Sequence, residues 1–238
     1  MLAPVSADSA REAAARAAVE LIEPGMALGI GSGRAVWKVV DEIARRWPDR
    51  PPLRAVAASA RTAELCRERG IELVELDGEL DLDLAIDGAD EIDAELRLIK
   101  GGGGALLREK VVVSAAHRFV VVAEATKRVE RLGETFPLPV EVIRFAWRDI
   151  RRRIGAFLPD AQLRSRDDGE PYLTDEGHYI LDCTLPADVD PDVLDREVKL
   201  IPGVVEHGLF IRMAERALLG NDDGSVEDFK PQADWELT

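Results

Sequence analysis

Cysteine is scarce: Cys66 and Cys183 are the only two in 238 residues. They form no C-x-x-C pair, so neither a redox motif nor a thiolate metal site is indicated. Two reduced thiols in a cytosolic protein is the plain expectation. Aromatic residues make up only 5% of the chain, which leaves Ala, Val, Leu and Ile to fill the core. His117, His178 and His207 are the only histidines, and no two have metal-ligand spacing, so no metal is expected. No apolar run approaches the ~20 residues that span a bilayer. The stretch from Met1 to Pro24 lacks the basic start and apolar run of a secretory signal, and the chain reads as cytoplasmic. Positive charge is also short, with 31 Lys and Arg against 46 Asp and Glu and a formal net charge of -15. Such a chain repels nucleic acid and anionic membranes. An anionic substrate therefore needs a local basic site.

Hydrophobic residues account for 46% of the sequence, enough for a full core. Apolar spacing predicts helices over 10–22, 34–47, 60–69 and 105–116, and strands over 26–30, 53–57, 72–76, 82–86, 96–99 and 119–123. Ser9 and Glu12 have the spacing of a capping box. This alternation predicts an α/β, Rossmann-like fold, a largely parallel sheet with helices on both faces. Beyond Arg131 the texture changes. Phe136–Val142 is punctuated by proline, a basic helix covers 146–157, strands at 162–166, 171–174 and 179–185 are joined by Asp- and Gly-rich turns, and a helix covers 191–200. That block reads as a smaller α+β domain. The expected division is residues 1–131, 132–206 and 207–238. In the last part, Gly208–Ile211 returns the chain to the first sheet and the acidic tail from Asn221 is surface-bound or frayed.

Ligands of parallel α/β sheets bind beyond the carboxyl ends of the strands. Four predicted strand ends carry unusual sequence: Gly29–Arg34, Asp87–Glu91, Lys100–Gly104 and Ala123–Lys127. The first is a glycine loop opening a helix, whose free N–H groups suit a phosphate. Arg34 stands where a dinucleotide fingerprint needs glycine, and no strand-end acid follows at the right distance. A small phosphate or sugar-phosphate site is favoured over a nucleotide site or a structural turn. Asp87, Asp90, Glu91 and Asp93 are either a solvated loop with a helix cap or carboxylates that exchange protons with sugar hydroxyls. Lys100 precedes four glycines and an amphipathic segment that carries Glu109 and Lys110 early in its helix.

At these residues the sequence resembles the A-type ribose-5-phosphate isomerase family. The resemblance rests on Gly29–Gly33, Asp87-Gly88-Ala89-Asp90-Glu91, Lys100-Gly101-Gly102-Gly103 through Arg108-Glu109-Lys110, Ala125-Thr126-Lys127, Phe136–Val142 and Ile201–Phe210, in the family's order over residues 11–226. The family pairs a Rossmann-like domain with a smaller ferredoxin-like one, assembles as a homodimer or homotetramer and uses no cofactor. The resemblance implies that Glu109 is the general base, that Lys100 stabilises an enediolate oxyanion, and that Asp87 opens the furanose ring and moves hydroxyl protons. It places Asp90, with Gly88, Ala89, Gly101, Gly102 and Gly103, on the sugar, and Lys127 with Ser32, Gly33, Arg34 and Ala35 on the phosphate. Two departures stand out. Arg34 and Ala35 replace the family's usual serine and threonine, and Ala57-Ala58-Ser59-Ala60 is poor in hydroxyls. The alternatives left open are an isomerase of another sugar phosphate, a non-catalytic sugar-phosphate sensor on the same fold, and a metal-dependent aldose isomerase.

Overall fold

The computed structural model describes residues 7–231. The first half of the chain forms α1 (Ala7–Val19), β1 (Ala27–Ile30), α2 (Arg34–Arg46), β2 (Arg54–Ala57), α3 (Ala60–Glu68), β3 (Glu72–Leu73), β4 (Leu84–Asp87), β5 (Glu91–Ile92), β6 (Leu98–Ile99), α4 (Leu106–Ser114) and β7 (Phe119–Glu124). A 3-10 turn over Ala125–Lys127 follows. Then come β8 (Leu138–Val142), α5 (Trp147–Ile154), β9 (Gln162–Leu163), β10 (Tyr179–Cys183), α6 (Pro191–Lys199), β11 (Val204–His207), β12 (Leu209–Phe210), β13 (Arg216–Gly220) and β14 (Val226–Phe229). The chain divides into two compact units. The first holds the residues up to Ala89, Arg108–Lys127, and those from Arg212 onward; the second holds Asp90–Leu107 and Arg128–Ile211.

The first unit is built on a seven-stranded sheet in the order β14-β13-β7-β4-β1-β2-β3. All neighbours are parallel except β13 and β14. Side chains alternate across a strand, and β1 shows both faces in use. Leu28 and Ile30 join Val36, Val39, Val40 and Ile43 of α2 in one core cluster. On the other face Ala27 packs with Val112 of α4, and a Cβ on Gly29 would lie 2.5 Å from Val112 Cγ1. Small residues replace the missing aromatics elsewhere too. Ala14, Ala15 and Ala18 of α1 are fully buried, and a Cβ on Gly220 would stand 1.9 Å from the Ala10 carbonyl oxygen.

The second unit contains a four-stranded sheet, β11-β8-β10-β9, with antiparallel neighbours throughout. Running β8-α5-β9-β10-α6-β11 in sequence, it is a ferredoxin-like βαββαβ unit. Leu138, Val140 and Val142 of β8, Ile150 and Ile154 of α5, and Leu194 and Val198 of α6 form its core. A separate three-stranded sheet, β12-β6-β5, belongs to the same unit.

Several expectations need correction. Gly208–Ile211 does not return the chain to the large sheet; Leu209 and Phe210 pair with β6 instead, and β13 makes the return. Of the two readings of the tail, the surface-bound one holds between Val226 and Phe229, where β14 pairs with β13 at the edge of the sheet; its last residues, from 232, lie outside the described ones. Residues 171–174 form no strand, and Pro171 makes only an isolated bridge to Ser165. Helix α1 already begins at Ala7, so Ser9 lies inside it and caps nothing. The segment 90–107, expected in the first domain, falls in the second unit.

Glu141 of β8 is 1% exposed; its Oε1 accepts from the Thr174 hydroxyl and meets His178 Nδ1, both at 2.9 Å. Burial pushes this carboxyl above its ordinary pKa, against the pull of the His178 and Thr174 hydrogen bonds. A raised folded-state pKa gives stability that is present below the unfolded carboxylate value and is lost as pH rises through the folded one. Glu141→Gln should therefore flatten the fall in melting temperature as pH rises above the ordinary carboxylate range. Parallel pH profiles for variant and wild type in thermal denaturation would refute this.

Candidate functional site

In the large sheet the chain runs outward from β1 to β2 and β3, then resumes on the other side of β1 with β4, β7 and β13. The junction of β1 and β4 is therefore the topological switch point, where open α/β sheets bind ligands. Both strands end there in the predicted motifs. Asp87 closes β4, is 1% exposed, and accepts through Oδ1 from the N–H groups of Ser32 at 3.1 Å and Gly88 at 2.7 Å. A Cβ on Gly31 would lie 1.9 Å from the Asp87 Cγ, so glycine is obligatory for the loop to close on the carboxylate. Gly33 caps α2 with φ of 111° and, having no side chain, itself supplies no acceptor to the first-turn amides.

The loop has a hydroxyl chain behind it. Ser32 Oγ lies 3.0 Å from Ser59 Oγ, which in turn donates to Thr62 Oγ1 at 3.0 Å. The Trp37 indole N–H donates to the same Thr62 oxygen at 3.2 Å. Ser59 is also the N-cap of α3, accepting from the Thr62 amide at 3.1 Å. The stretch read as poor in hydroxyls thus supplies the one that touches Ser32. Its position directly before a helix was the available signal. Arg34 is exposed and Ala35 buried in the first turn of α2. Lys127 sits half-buried in the 3-10 turn after β7. Glu109 lies in the first turn of α4 and is 4% exposed.

The second unit carries the other motif residues. Lys100 follows β6, is 2% exposed, and holds its ammonium 5.3 Å from the centre of the Phe210 ring, within cation–π range. Its amide donates to the Gly208 carbonyl at 2.9 Å. A Cβ on Gly208 would stand 2.2 Å from the Lys100 carbonyl oxygen, which accounts for the glycine in the His207-Gly208-Leu209 run. Asp90 Oδ2 accepts from the Gly102 amide at 2.8 Å, so Asp90 and the glycine loop are brought together. Arg164 and Tyr172, which no motif marked, bind the carbonyls of Gly101, Gly102 and Gly103.

The acidic cluster separates into two jobs. Glu91 is fully buried and accepts from the amides of Gly133, Thr135 and Phe136 and from the Thr135 hydroxyl. Asp93 holds a turn, accepting from the amides of Glu95 at 3.0 Å and Arg97 at 2.9 Å and pairing with the Arg97 guanidinium. Both are scaffold. Asp87 and Asp90 instead contact glycine-loop amides.

A strand-end loop closed on a buried carboxylate, at the switch point of a parallel sheet, defines an α/β protein fitted to a small polar ligand. A profile of the family described as ribose 5-phosphate isomerase A (phosphoriboisomerase A) matches residues 54–224. The ribose-5-phosphate isomerase A of Roseiflexus castenholzii is 48% identical over 225 residues, covering 94% of this chain and 96% of its own. That of a Synechococcus strain is 46% identical, covering 92% and 96%. Among solved structures, ribose 5-phosphate isomerase A from Methanocaldococcus jannaschii superposes with a TM-score of 0.88 at 36% identity, over 94% of this chain and 100% of that one. A D-ribose-5-phosphate isomerase in complex with phospho-erythronic acid gives a TM-score of 0.89 at 31% identity, over 94% and 99%. The chain belongs to the ribose 5-phosphate isomerase A family.

Proposed function

We propose that this chain is an aldose–ketose isomerase that interconverts D-ribose 5-phosphate and D-ribulose 5-phosphate through a cis-enediolate. Besides the family, burial carries the reading. Asp87, Lys100 and Glu109 are 1%, 2% and 4% exposed, although chargeable side chains are normally left in water. Glu91 is as buried but serves as scaffold, so for these three burial supports a functional role through their match to the family's motif residues.

In this reading Asp87 takes the O1 proton and returns one to O4, which opens the furanose ring. Glu109 then removes the proton on C2 while the electron pair moves onto the C1 carbonyl oxygen, giving the enediolate. Lys100 stabilises that developing oxyanion. Glu109 delivers its proton to C1 and the O2 proton passes to O1, leaving the ketone at C2. Asp90, with Gly88, Ala89, Gly101, Gly102 and Gly103, lines the sugar. Ser32, Gly33, Arg34 and Ala35 at the start of α2, together with Lys127, hold the phosphate. No cofactor enters this scheme.

Ribulose 5-phosphate formation from ribose 5-phosphate in excess chelator tests the reading; absence of turnover, or turnover abolished by chelator, would overturn it. The exposed Arg34 favours one variation, a shifted choice of sugar phosphate, which a panel of pentose and hexose phosphates would reveal. For the phosphate itself, Arg34→Ser should raise KM by about three- to tenfold, the loss of one charge-assisted contact, and leave kcat almost unchanged. A large fall in kcat at constant KM would place Arg34 in the chemistry instead. The family reading also implies a cytoplasmic homodimer or homotetramer. Among the described residues no helix is long and apolar enough to cross a membrane. Exposed apolar side chains such as Phe145 and Leu200, 83% and 75% exposed, offer surface for such an assembly, and sedimentation would measure it.

A further inference from the structure

Four consecutive glycines after Lys100 form a segment with little conformational preference of its own. In the second unit that segment is nevertheless tied at three successive carbonyls. Arg164, just beyond β9, forks its Nε and Nη2 onto the two carboxylate oxygens of Asp182 in β10, with Nε to Oδ2 at 2.9 Å. Its remaining Nη1 donates to the carbonyl of Gly101 at 2.8 Å and to that of Gly102 at 3.2 Å. The Tyr172 hydroxyl donates to the carbonyl of Gly103 at 3.0 Å, and the Arg164 guanidinium carbon lies 5.9 Å from the centre of the Tyr172 ring. Gly104, with φ of 84°, lies so near that a Cβ there would be 2.3 Å from the Tyr172 oxygen.

The consequence follows from peptide geometry. In a trans peptide the N–H points opposite to the C=O. Drawing the carbonyls of Gly101 and Gly102 toward Arg164 turns the amides of Gly102 and Gly103 the other way. The Gly102 amide meets Asp90 Oδ2 there, at 2.8 Å. Arg164 is well suited to the task. Its side chain is 13% exposed and its guanidinium is oriented by the fork on Asp182 before it reaches the loop. A plain cross-strand ion pair between the β9 and β10 neighbourhoods would leave the third nitrogen to water. Here it is spent on two carbonyls 63 and 62 residues away.

We propose that Arg164, oriented by Asp182 and assisted by Tyr172, is a positioning residue that fixes the Lys100–Gly104 loop in its working conformation. This rests on the reading of that loop as part of the substrate site. Arg164→Gln should lower kcat by about 10–100-fold, as expected when catalytic groups drift by an ångström or so, with a smaller change in KM. Amide hydrogen exchange across Gly101–Gly104 should quicken in the same variant. Arg164→Lys, which can reach the carbonyls but cannot also fork on Asp182, should recover part of kcat. Tyr172→Phe, which removes one donor and keeps the ring, should show a milder form of both effects. A folded Arg164→Gln with kcat within about twofold of wild type and unchanged loop exchange would reduce Arg164 to a cross-strand staple and overturn the proposal. If Arg164→Gln does not fold, Tyr172→Phe decides by the same two readouts. Quickened loop exchange in Arg164→Gln, found together with full activity of Lys100→Met, would support the clamp and remove the catalytic reading of Lys100.

Discussion

Glu109→Gln is expected to cut kcat for ribose 5-phosphate by about three decades or more, roughly 4 kcal/mol of transition-state stabilisation. Glutamine has the size of glutamate and can occupy the same place in the first turn of α4, where residue 109 is 4% exposed. The packing of the helix therefore changes little, and the melting temperature should stay close to that of the wild type. What is lost is the carboxylate itself, its charge and its second acceptor oxygen, and with them the ability to take a proton from C2 and deliver it to C1. A carboxylate is an intrinsically weak base toward an α-hydroxy aldehyde, so its contribution depends on where it is held and on what stabilises the enediolate. Wild-type turnover in deuterated water should wash solvent deuterium into recovered substrate or product, and the variant should show no wash-in. A variant that retained kcat within about tenfold of wild type would remove Glu109 from the role of base, whatever happened to KM.

The central strands of the large sheet, β1, β4 and β7, were legible because they are long and apolar enough to show their character, whereas β13 and β14 were not read at all. Ala27–Ile30, Leu84–Asp87 and Phe119–Glu124 are buried along nearly their whole length, and such apolar runs between amphipathic helices read as parallel strands. The strand-end motifs were legible for a related reason: glycine and acid directly after an apolar run mark the edge where a parallel sheet takes its ligand. Strands of two residues carry no period at all. β5, β6 and β12 therefore passed as loop or were assigned to the wrong sheet, and with them the membership of residues 90–107 in the second unit. The acidic cluster presented a third difficulty. Asp87, Asp90, Glu91 and Asp93 are chemically alike in sequence, and only their partners separate them: loop amides for the first two, scaffold amides and Arg97 for the others. Arg164 left no trace, because a contact across more than sixty residues has no spacing rule. The capping-box spacing at Ser9 failed for the opposite reason. Two common residues three apart arise by chance, and α1 starts before them.

Lys100→Met should lower kcat by about 10²–10³-fold, the effect of removing one preorganised donor from a developing oxyanion, while KM changes far less. Methionine has nearly the length and shape of the lysine stem, and its sulfur can keep a favourable contact with the Phe210 ring now 5.3 Å from the ammonium. The backbone bond from residue 100 to the Gly208 carbonyl does not depend on the side chain, so β6 and β12 stay paired. Any fall in activity then reports the missing charge rather than a collapsed loop. The kcat-against-KM split follows from timing: the substrate carbonyl is neutral when bound, and the charge that Lys100 answers grows only as the C2 proton leaves. An interaction made in the transition state alone depresses kcat and kcat/KM together. Lys100→Arg keeps the charge but lengthens and broadens the head group in a site that leaves residue 100 only 2% exposed, so it should recover little of the loss. If Lys100→Met raised KM and left kcat intact, Lys100 would be holding the ground-state sugar, and the stabilisation of the enediolate would have to come from the amides of the glycine loop.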